Sequence, residues 1–353
     1  MKQEITKLLK TLVECESFVS ESKYQKILTR WIQKNLPGFT IREFPVEKNR
    51  KNILAYGNKP IILLACHMDT VRPTKGSEAK LRQAGDKLYG LGTKDMKGGT
   101  VAALIAAKYL PLEVSEKIGF LFYCDEEYCQ KGMEAMVKKS SLIPKTVKYF
   151  LCPESRFNLS FASRGVAVFD IEFLGKSAHS ARPHLGINAI EEAFRFFAIL
   201  RSALGKFKSS LNLASLNGST DSNRVPDLAK STGSIRIGDE KLTEKALLQI
   251  IKDIIKKNNF QVKFSITTFR SAIMPKSKAH IKKFLSAAKG FDIKLADPML
   301  AGYNDICMLS SKLGIPFWGF GPYGENNHGP NEWVSLQSIK ECIEVYQKLA
   351  KKI

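Results

Sequence analysis

The sequence predicts an α/β fold in which a larger, discontinuous domain is interrupted by a smaller α+β domain. Apolar runs alternate with helical stretches in the first part, which is typical of a mixed, mostly parallel sheet flanked by helices. After Gly165 polar and apolar residues alternate, and the order strand–helix–strand–strand–helix–strand is typical of a ferredoxin-like module. From about Ile273 the first pattern returns. We therefore expect domains at 1–163 with 273–353 and at 164–272.

The predicted elements of the larger domain follow from apolar runs bounded by Pro, Gly and charged residues. Its first part should contain helices at 5–15, 21–35, 98–109 and 132–139, extended segments at 40–46 and 52–56, a hairpin at 80–89, and buried strands at 61–66, 117–124 and 147–152. Its last part should contain helices at 276–289, 306–313 and 336–351 and a strand at 315–321. The smaller domain should contain strands at 166–174, 210–217, 231–237 and 261–268 and helices at 189–204 and 242–257.

Composition favours a soluble, intracellular chain. Hydrophobic residues make up 44% of the 353 residues, yet no apolar run approaches the ~18 residues of a membrane span. The N-terminus has the charge pattern of an amphipathic helix and lacks that of a signal peptide. The seven cysteines are odd in number and none has Cys-x-x-Cys spacing, which suits a reducing compartment. We expect a cytoplasmic protein without a membrane partner.

The chain is strongly basic, with 55 Lys and Arg against 34 Asp and Glu and a net charge of +21. Such a field attracts nucleic acids, anionic surfaces or acidic substrates. The lysines are scattered, however, and the sequence contains no basic arm, no Arg-rich helix and no aromatic platform in a short glycine-rich frame. The sequence therefore favours a lysine-rich solvated surface, keeps an acidic substrate or partner open, and disfavours nucleic-acid binding.

Polar, chemically active side chains follow three of the predicted buried strands. The strand at 61–66 runs into His67 and Asp69, and a glycine-rich loop at 89–99 carries Asp95. The next two strands run into acids at Asp125, Glu126, Glu127 and Glu154. In an open α/β sheet, ligands bind at the carboxyl ends of the strands. Each acid alone has a simpler interpretation as a helix cap, a partner of a helix dipole or a turn residue.

Taken together, these residues indicate a metal site. Imidazole and carboxylate donors suit zinc or a similar divalent ion. Several carboxylates in one cleft would repel each other unless cations neutralise them, so we expect two ions rather than one.

Four motifs, in order, resemble those of the cocatalytic zinc hydrolases, the group of acetylornithine deacetylase, succinyl-diaminopimelate desuccinylase, aminoacylase and glutamate carboxypeptidase. The motifs are His67-x-Asp69-x-Val71, Gly92-x-x-Asp95-Met96-Lys97-Gly98-Gly99, Glu126-Glu127 and Pro153-Glu154. The stretches 175–190 and 223–227 are similar to the lid motifs of the same group. The resemblance covers nearly the whole chain.

The resemblance implies a role for each of ten residues. Two zinc ions, with cobalt or manganese as substitutes, would be bound by His67, Asp95, Glu127, Glu154 and His328, with Asp95 bridging them. The catalytic residues would be Glu126 as general base, Asp69 as the residue that orients His67, and His179 as an oxyanion donor. Substrate would be bound by Arg236 and Asn223. The smaller domain would be a lid that also forms a homodimer and brings His179 to the partner's site.

Three positions depart from the pattern of this group. Leu91 stands where Arg is common, Ser234 stands where an Asp often precedes the lid arginine, and no Pro follows Glu154. The third departure leaves Cys152, two residues earlier, as a fallback ligand.

The resemblance implies metal-dependent hydrolysis of the amide bond of an N-acyl amino acid, of the deacetylase or desuccinylase kind, by a water activated between the ions. The alternative is a metallo-exopeptidase, of the dipeptidase or glutamate carboxypeptidase kind, which would share the chemistry and differ in its substrate pocket. A nucleic-acid-binding protein and an inactive relative are the remaining alternatives. The first is disfavoured because no basic motif is present, and the second because every proposed metal ligand is present.

Overall fold

The structure is a computed structural model, and it describes residues 1–154, 157–218, 221–274, 278–298 and 304–353. The chain divides into two compact units. The described part of the first unit comprises residues 1–154, 157–161, 278–297 and 304–353. The described part of the second unit comprises residues 162–218, 221–274 and 298.

The described helices are α1 Lys2–Val13, α2 Ser22–Asn35, α3 Gly98–Lys108, α4 Leu112–Ser115, α5 Lys131–Lys138, α6 Ala189–Gly205, α7 Glu244–Asn258, α8 Ala279–Ala287, α9 Ile306–Leu313 and α10 Leu336–Lys351. The described strands are β1 Thr40–Glu47, β2 Arg50–Tyr56, β3 Ile62–His67, β4 Arg82–Ala84, β5 Lys87–Tyr89, β6 Ile118–Tyr123, β7 Tyr149–Cys152, β8 Asn158–Leu159, β9 Gly165–Leu174, β10 Ser210–Asn217, β11 Leu228–Ile237, β12 Val262–Arg270, β13 Lys294–Leu295, β14 Phe317–Gly319, β15 Gly324–Glu325 and β16 Trp333–Ser335.

The first unit is built on a six-stranded sheet with the order β1-β2-β6-β3-β7-β14. The four strands β6, β3, β7 and β14 are parallel, whereas β1 and β2 pair antiparallel to each other and β2 pairs antiparallel to β6. Every residue of β3 and β6 is buried, which is why their sequences are continuous apolar runs rather than alternating ones. The predicted mixed, mostly parallel sheet is confirmed, and parallel strands deliver the residues that follow them to one edge.

Helix α3 is buried from Gly98 through Ala107, so it has no polar face. It packs against α1 and α10. Its small residues allow close approach: a Cβ on Gly99 would lie 1.8 Å from the main-chain oxygen of Pro153, at the end of β7. This approach brings the glycine-rich loop before α3 next to the strand end that carries Glu154.

A smaller sheet in the same unit has the order β15-β16-β5-β4. It pairs Trp333 in β16 with Tyr89 in β5, and Tyr89 in turn with Arg82 in β4. The hairpin predicted at 80–89 is therefore extended by a strand from the C-terminal part of the chain, which places that part beside the glycine-rich loop.

The second unit is a four-stranded antiparallel sheet with the order β10-β11-β9-β12 and two helices, α6 and α7. This is the strand–helix–strand–strand–helix–strand arrangement expected from the sequence. Strand β9 alternates buried and more exposed residues, and its buried side joins the helices in a core rich in Phe, which contains Phe169, Phe173, Phe196, Phe197 and Phe260. Asn188 and Thr243 cap the two helices, each accepting main-chain N–H hydrogen bonds in the first turn.

Several predicted bounds differ from those in the structure. The strand expected at 315–321 is limited to Phe317–Gly319, because only these residues pair with β7. The helix expected at 276–289 is described as Ala279–Ala287, and residues 276 and 277 lie outside the described residues. Within the described part of the chain, every helix is too short or too polar to cross a bilayer.

Candidate active site

The site is built where the parallel strands of the first unit end. His67 is the last residue of the buried strand β3, and its ring is buried. Its Nε2 lies 2.9 Å from Oδ1 of Asp95, which belongs to the loop before α3. The expected convergence of these two residues, 28 positions apart, is thus present in the structure.

Asp95 lies between the two histidines of the site. It belongs to an irregular turn at Thr93–Lys97, preceded by Gly92 at a φ of +74°, and the Asp95–Met96 peptide bond is cis. While Oδ1 faces His67, Oδ2 lies 3.4 Å from Nε2 of His328. A carboxylate that presents one oxygen to each histidine has the geometry expected of a bridging ligand.

The second side of the site joins Glu127 to His328. Nε2 of His328 lies 2.9 Å from Oε2 of Glu127, whose side chain is only 3% exposed, whereas that of His328 is 50% exposed. Asn327, the neighbour of His328, donates from Nδ2 to Oδ2 of Asp95 at 3.2 Å. The C-terminal loop therefore contributes one candidate ligand and one hydrogen-bond donor.

Glu154, at the end of β7, joins His67 and Asp95 from the other side. Asn304 donates from Nδ2 to Oε2 of Glu154 at 3.3 Å and lies 3.2 Å from Sγ of Cys152. Burial raises the pKa of the Cys152 thiol well above its usual value, so the thiolate form is disfavoured. The grouping with His67 and Asp95 favours Glu154 over Cys152 as the ligand on this strand.

Three groups of ligand-type side chains occur among the residues that the structure describes, each with its donor atoms within 4.8 Å of one another. The groups are His67 with Asp95 and Glu154, Asp95 with Glu127 and His328, and His67 with Glu126 and Glu127. The first two share Asp95 and together contain all five predicted ligands. Oxygen and imidazole donors in this arrangement fit divalent zinc-type ions on both sides of Asp95.

Asp69 is 1% exposed and lies against the two adjacent glutamates. Its Oδ1 accepts from the main-chain N–H of Glu126 at 3.1 Å, and its Oδ2 from that of Glu127 at 3.0 Å. Nδ1 of His67 lies 3.1 Å from the main-chain oxygen of Asp69 and 3.7 Å from Oδ1. Asp69 therefore contacts His67 chiefly through its main chain, while its carboxylate fixes the turn that carries Glu126 and Glu127.

Asp125, the first of the three consecutive acids, has a different role from its neighbours. Nη1 of Arg50 donates to Oδ1 of Asp125 at 2.7 Å, and Nε of Arg50 donates to Oε2 of Glu21 at 2.9 Å. Glu21 and Asp125 are both buried, and one guanidinium pairs with both carboxylates outside the three groups of His67, Asp95 and their neighbours. Neither Arg50 nor Glu21 was predicted from the sequence, since neither lies near a recognisable motif.

The cluster shifts the proton affinities of its members in different directions. Burial, together with the charge of Glu154, raises the pKa of Glu126 to about 9, and burial beside Asp95 raises the pKa of Glu127 to about 7. The hydrogen bond to Asp95 raises the pKa of His328 to about 9. Burial opposes charge on both His67 and Asp95, but their partners outweigh it. Asp69 and Asp95 raise the pKa of His67, whereas His328 and His67 lower the pKa of Asp95. A cation-binding site is expected to contain crowded carboxylates that retain protons when no cation is bound.

The three remaining predicted residues, His179, Asn223 and Arg236, lie in the second unit and are exposed. Nδ1 of His179 accepts from the main-chain N–H of Ala181 at 3.1 Å. The loops that carry His179 and Asn223 lie together, because the N–H of Ser180 donates to the main-chain oxygen of Asn223 at 2.9 Å. The roles of these three residues stay predictions.

Two further residues of the site, Asn304 and Asn327, were not predicted from the sequence. Each donates to a carboxylate of the cluster, Asn304 to Glu154 and Asn327 to Asp95. The signal that could have identified Asn327 is its position directly before His328. Asn304 had a weaker signal, namely an amide directly before an acid at the start of a helix.

The α/β fold and the buried cluster of imidazoles and carboxylates define a class of protein, that of the metal-dependent hydrolases. Residues 63–352 match Peptidase family M20/M25/M40, and the chain belongs to this family. This agrees with the resemblance inferred from the motifs, and it identifies the protein as a hydrolase of a family whose members cleave amide bonds with the help of metal ions.

Similar proteins in this family have several different activities. A probable carboxypeptidase from Aspergillus clavatus is 30% identical over 226 residues, which are 56% of this chain and 54% of that protein. A succinyl-diaminopimelate desuccinylase from Orientia tsutsugamushi is 26% identical over 381 residues, covering 98% of this chain and 95% of that protein. Among solved structures, the aminopeptidase PepT from Bacillus cereus matches with a TM-score of 0.80 and 19% identity, covering 100% of this chain and 98% of that one. This last likeness concerns the fold alone.

Proposed function

We propose that this protein hydrolyses the amide bond of an N-acyl amino acid, using two zinc ions held on either side of Asp95. The observation that carries the proposal is the position of the Asp95 carboxylate, with Oδ1 at 2.9 Å from His67 and Oδ2 at 3.4 Å from His328. Glu154 would complete the site of His67, and Glu127 would complete the site of His328.

Bound divalent ions would polarise the substrate carbonyl and lower the pKa of a water molecule in the site. The chain's own contribution is proton transfer by Glu126. A carboxylate oxygen of Glu126 lies within 4.8 Å of ligand-type atoms of His67 and Glu127, and the main-chain N–H of Glu126 donates to Asp69. Glu126 would accept a proton from the attacking water and deliver it to the nitrogen of the leaving amine.

The second unit would supply substrate recognition. Arg236 presents a planar guanidinium that suits the α-carboxylate of an amino acid, and Asn223 would donate a further hydrogen bond. His179 would donate to the developing oxyanion from the second subunit of a homodimer. The net charge of +21 supports an acidic acyl group or amino acid as substrate.

The second candidate function is that of a metallo-exopeptidase. It is supported by the name of one relative, since the Aspergillus clavatus protein is a probable carboxypeptidase. The match to the Orientia tsutsugamushi desuccinylase covers both proteins almost end to end, which supports the deacylase instead.

A substrate panel with defined metal content separates these functions. The metal-free protein is assayed with zinc or cobalt against N-succinyl and N-acetyl amino acids, dipeptides and tripeptides. We expect about two ions per chain at full activity and the highest kcat/KM on an N-acyl amino acid. Preference for peptides would support the exopeptidase, and hydrolysis that persists unchanged after chelation would reject the metal mechanism altogether.

A further inference from the structure

Glu332 is a buried acid that none of the roles above uses. It precedes β16 and is 1% exposed. Its Oε1 accepts from the main-chain N–H groups of Lys94 and Asp95 at 2.8 and 3.0 Å, and its Oε2 accepts from that of Gly92 at 2.7 Å. In addition, its main-chain oxygen accepts from the N–H of Gly90 at 3.0 Å.

These contacts tie one side chain to most of the turn that carries the bridging carboxylate. A buried carboxylate is costly unless charge-assisted hydrogen bonds replace its hydration, and three N–H donors supply them. One of the three donors is the N–H of Asp95 itself. The position of the Asp95 backbone is thus fixed by an acid 237 residues further along the chain.

The same C-terminal segment carries the other partner of Asp95. His328 lies four residues before Glu332, and its Nε2 faces Oδ2 of Asp95. Asn327 donates to that same oxygen. A displacement of the segment against the turn would therefore change the separation of Asp95 and His328 directly.

We propose that Glu332 is a positioning residue of the metal centre: its carboxylate holds the Asp95 turn against the segment 327–332, so that Asp95 and His328 meet the same ion. Glu332 contributes no donor atom to the three ligand groups. The inference rests on the proposed metal function and adds to it the residue that sets the ligand separation.

The test compares Glu332→Gln with Asp86→Asn in the full-length, metal-free protein. Gln keeps the shape of the side chain but faces at least one main-chain N–H with an NH₂ group, so the turn loses an acceptor. Asp86 is the matched control because it is an acid that anchors the chain just beyond this segment, accepting from the Ser335 hydroxyl and from the N–H of Gln337. Cobalt binding is followed by calorimetry and by the visible absorption of the ion, and folding by thermal melting.

We expect the wild type and Asp86→Asn to bind Co²⁺ alike, although the control melts earlier. Glu332→Gln should bind Co²⁺ about 10–100-fold more weakly and show a changed absorption spectrum at saturation. An unchanged affinity and spectrum would overturn the role of Glu332 and leave the metal centre intact. A wild type without cobalt binding would overturn the proposed function and this inference with it. If Glu332→Gln does not fold, Glu332→Asp, which keeps the charge but shortens the reach, is measured with the same two outcomes.

Discussion

At the residue scale, two adjacent glutamates of the site have different contacts. Glu127 reaches His328, whereas Glu126 has no imidazole of a described residue within hydrogen-bond distance. Asp69 holds the backbone of both, since its two carboxylate oxygens each accept the N–H of one glutamate. In the proposed mechanism, this turn would present Glu127 as a metal ligand and leave Glu126 for proton transfer.

The substitution Glu126→Gln tests that division. The amide keeps the size of the side chain but accepts no proton at the required step, so kcat should fall by roughly 10²–10⁴-fold. Metal content, measured by atomic absorption, should remain at the wild-type level because the five ligands are unchanged. Glu113→Gln, at an exposed glutamate, is the control and should retain full activity. Normal turnover in Glu126→Gln would remove Glu126 from the role of general base.

At the element scale, the site depends on how closely α3 approaches the end of β7. Gly99 lies in the first turn of α3, and a Cβ there would come within 1.8 Å of the main-chain oxygen of Pro153. Because the obstacle is backbone, rotation of a side chain cannot relieve it. The helix would have to move away from the strand, and the Asp95 turn and Glu154 would separate.

The substitution Gly99→Ala should therefore lower the free energy of unfolding by about 1–3 kcal/mol, the usual cost of overpacking. It should also weaken metal binding. Gly205→Ala is the matched control, because Gly205 ends α6 with no atom within 4 Å of a new Cβ, and Ala is the better helix former. Denaturant unfolding of both variants checks the prediction. Equal stability of the two variants would contradict it.

At the scale of the whole molecule, the cluster links protons, cations and stability. In the metal-free protein the pKa of Glu126 is raised from 4.5 to about 9 and that of Glu127 from 4.5 to about 7, chiefly by burial. The pKa of His328 is raised from 6.5 to about 9, chiefly by the hydrogen bond to Asp95. In each case the folded protein holds the proton more tightly than the unfolded chain. The contribution of these bound protons to the free energy of unfolding is therefore lost as the pH rises through these values.

We therefore expect the melting temperature of the metal-free protein to fall between about pH 5 and pH 9. Bound zinc, as proposed, would replace these protons. Added zinc should therefore raise the melting temperature more at pH 8 than at pH 6, and binding should release protons. Thermal melting across this pH range, with calorimetry in buffers of different ionisation enthalpy, measures both effects. A melting temperature that is independent of pH without metal would contradict the linkage.

Much of the fold was predictable because the apolar runs of β3, β6 and β7 and the alternation of β9 each determine a local structure. The ligand types were predictable too, since His67, Glu127 and Glu154 all follow buried strands. The contacts of Asp125 with Arg50 and of Glu332 with the Asp95 turn were not. These hydrogen bonds join residues 75 and 237 positions apart, and no local pattern encodes such a pairing.

By itself, the sequence determined the kinds of donor atoms, their order along the chain and the strand ends that carry them. Only the tertiary structure decided which acid faces which histidine, which acid is neutralised by Arg50, and which one holds the Asp95 turn. The physical reason is that periodicity and turn chemistry act over a few residues. The separation of two ligands depends instead on packing between distant elements, here α3 against the end of β7 and the segment 327–332 against the glycine-rich loop.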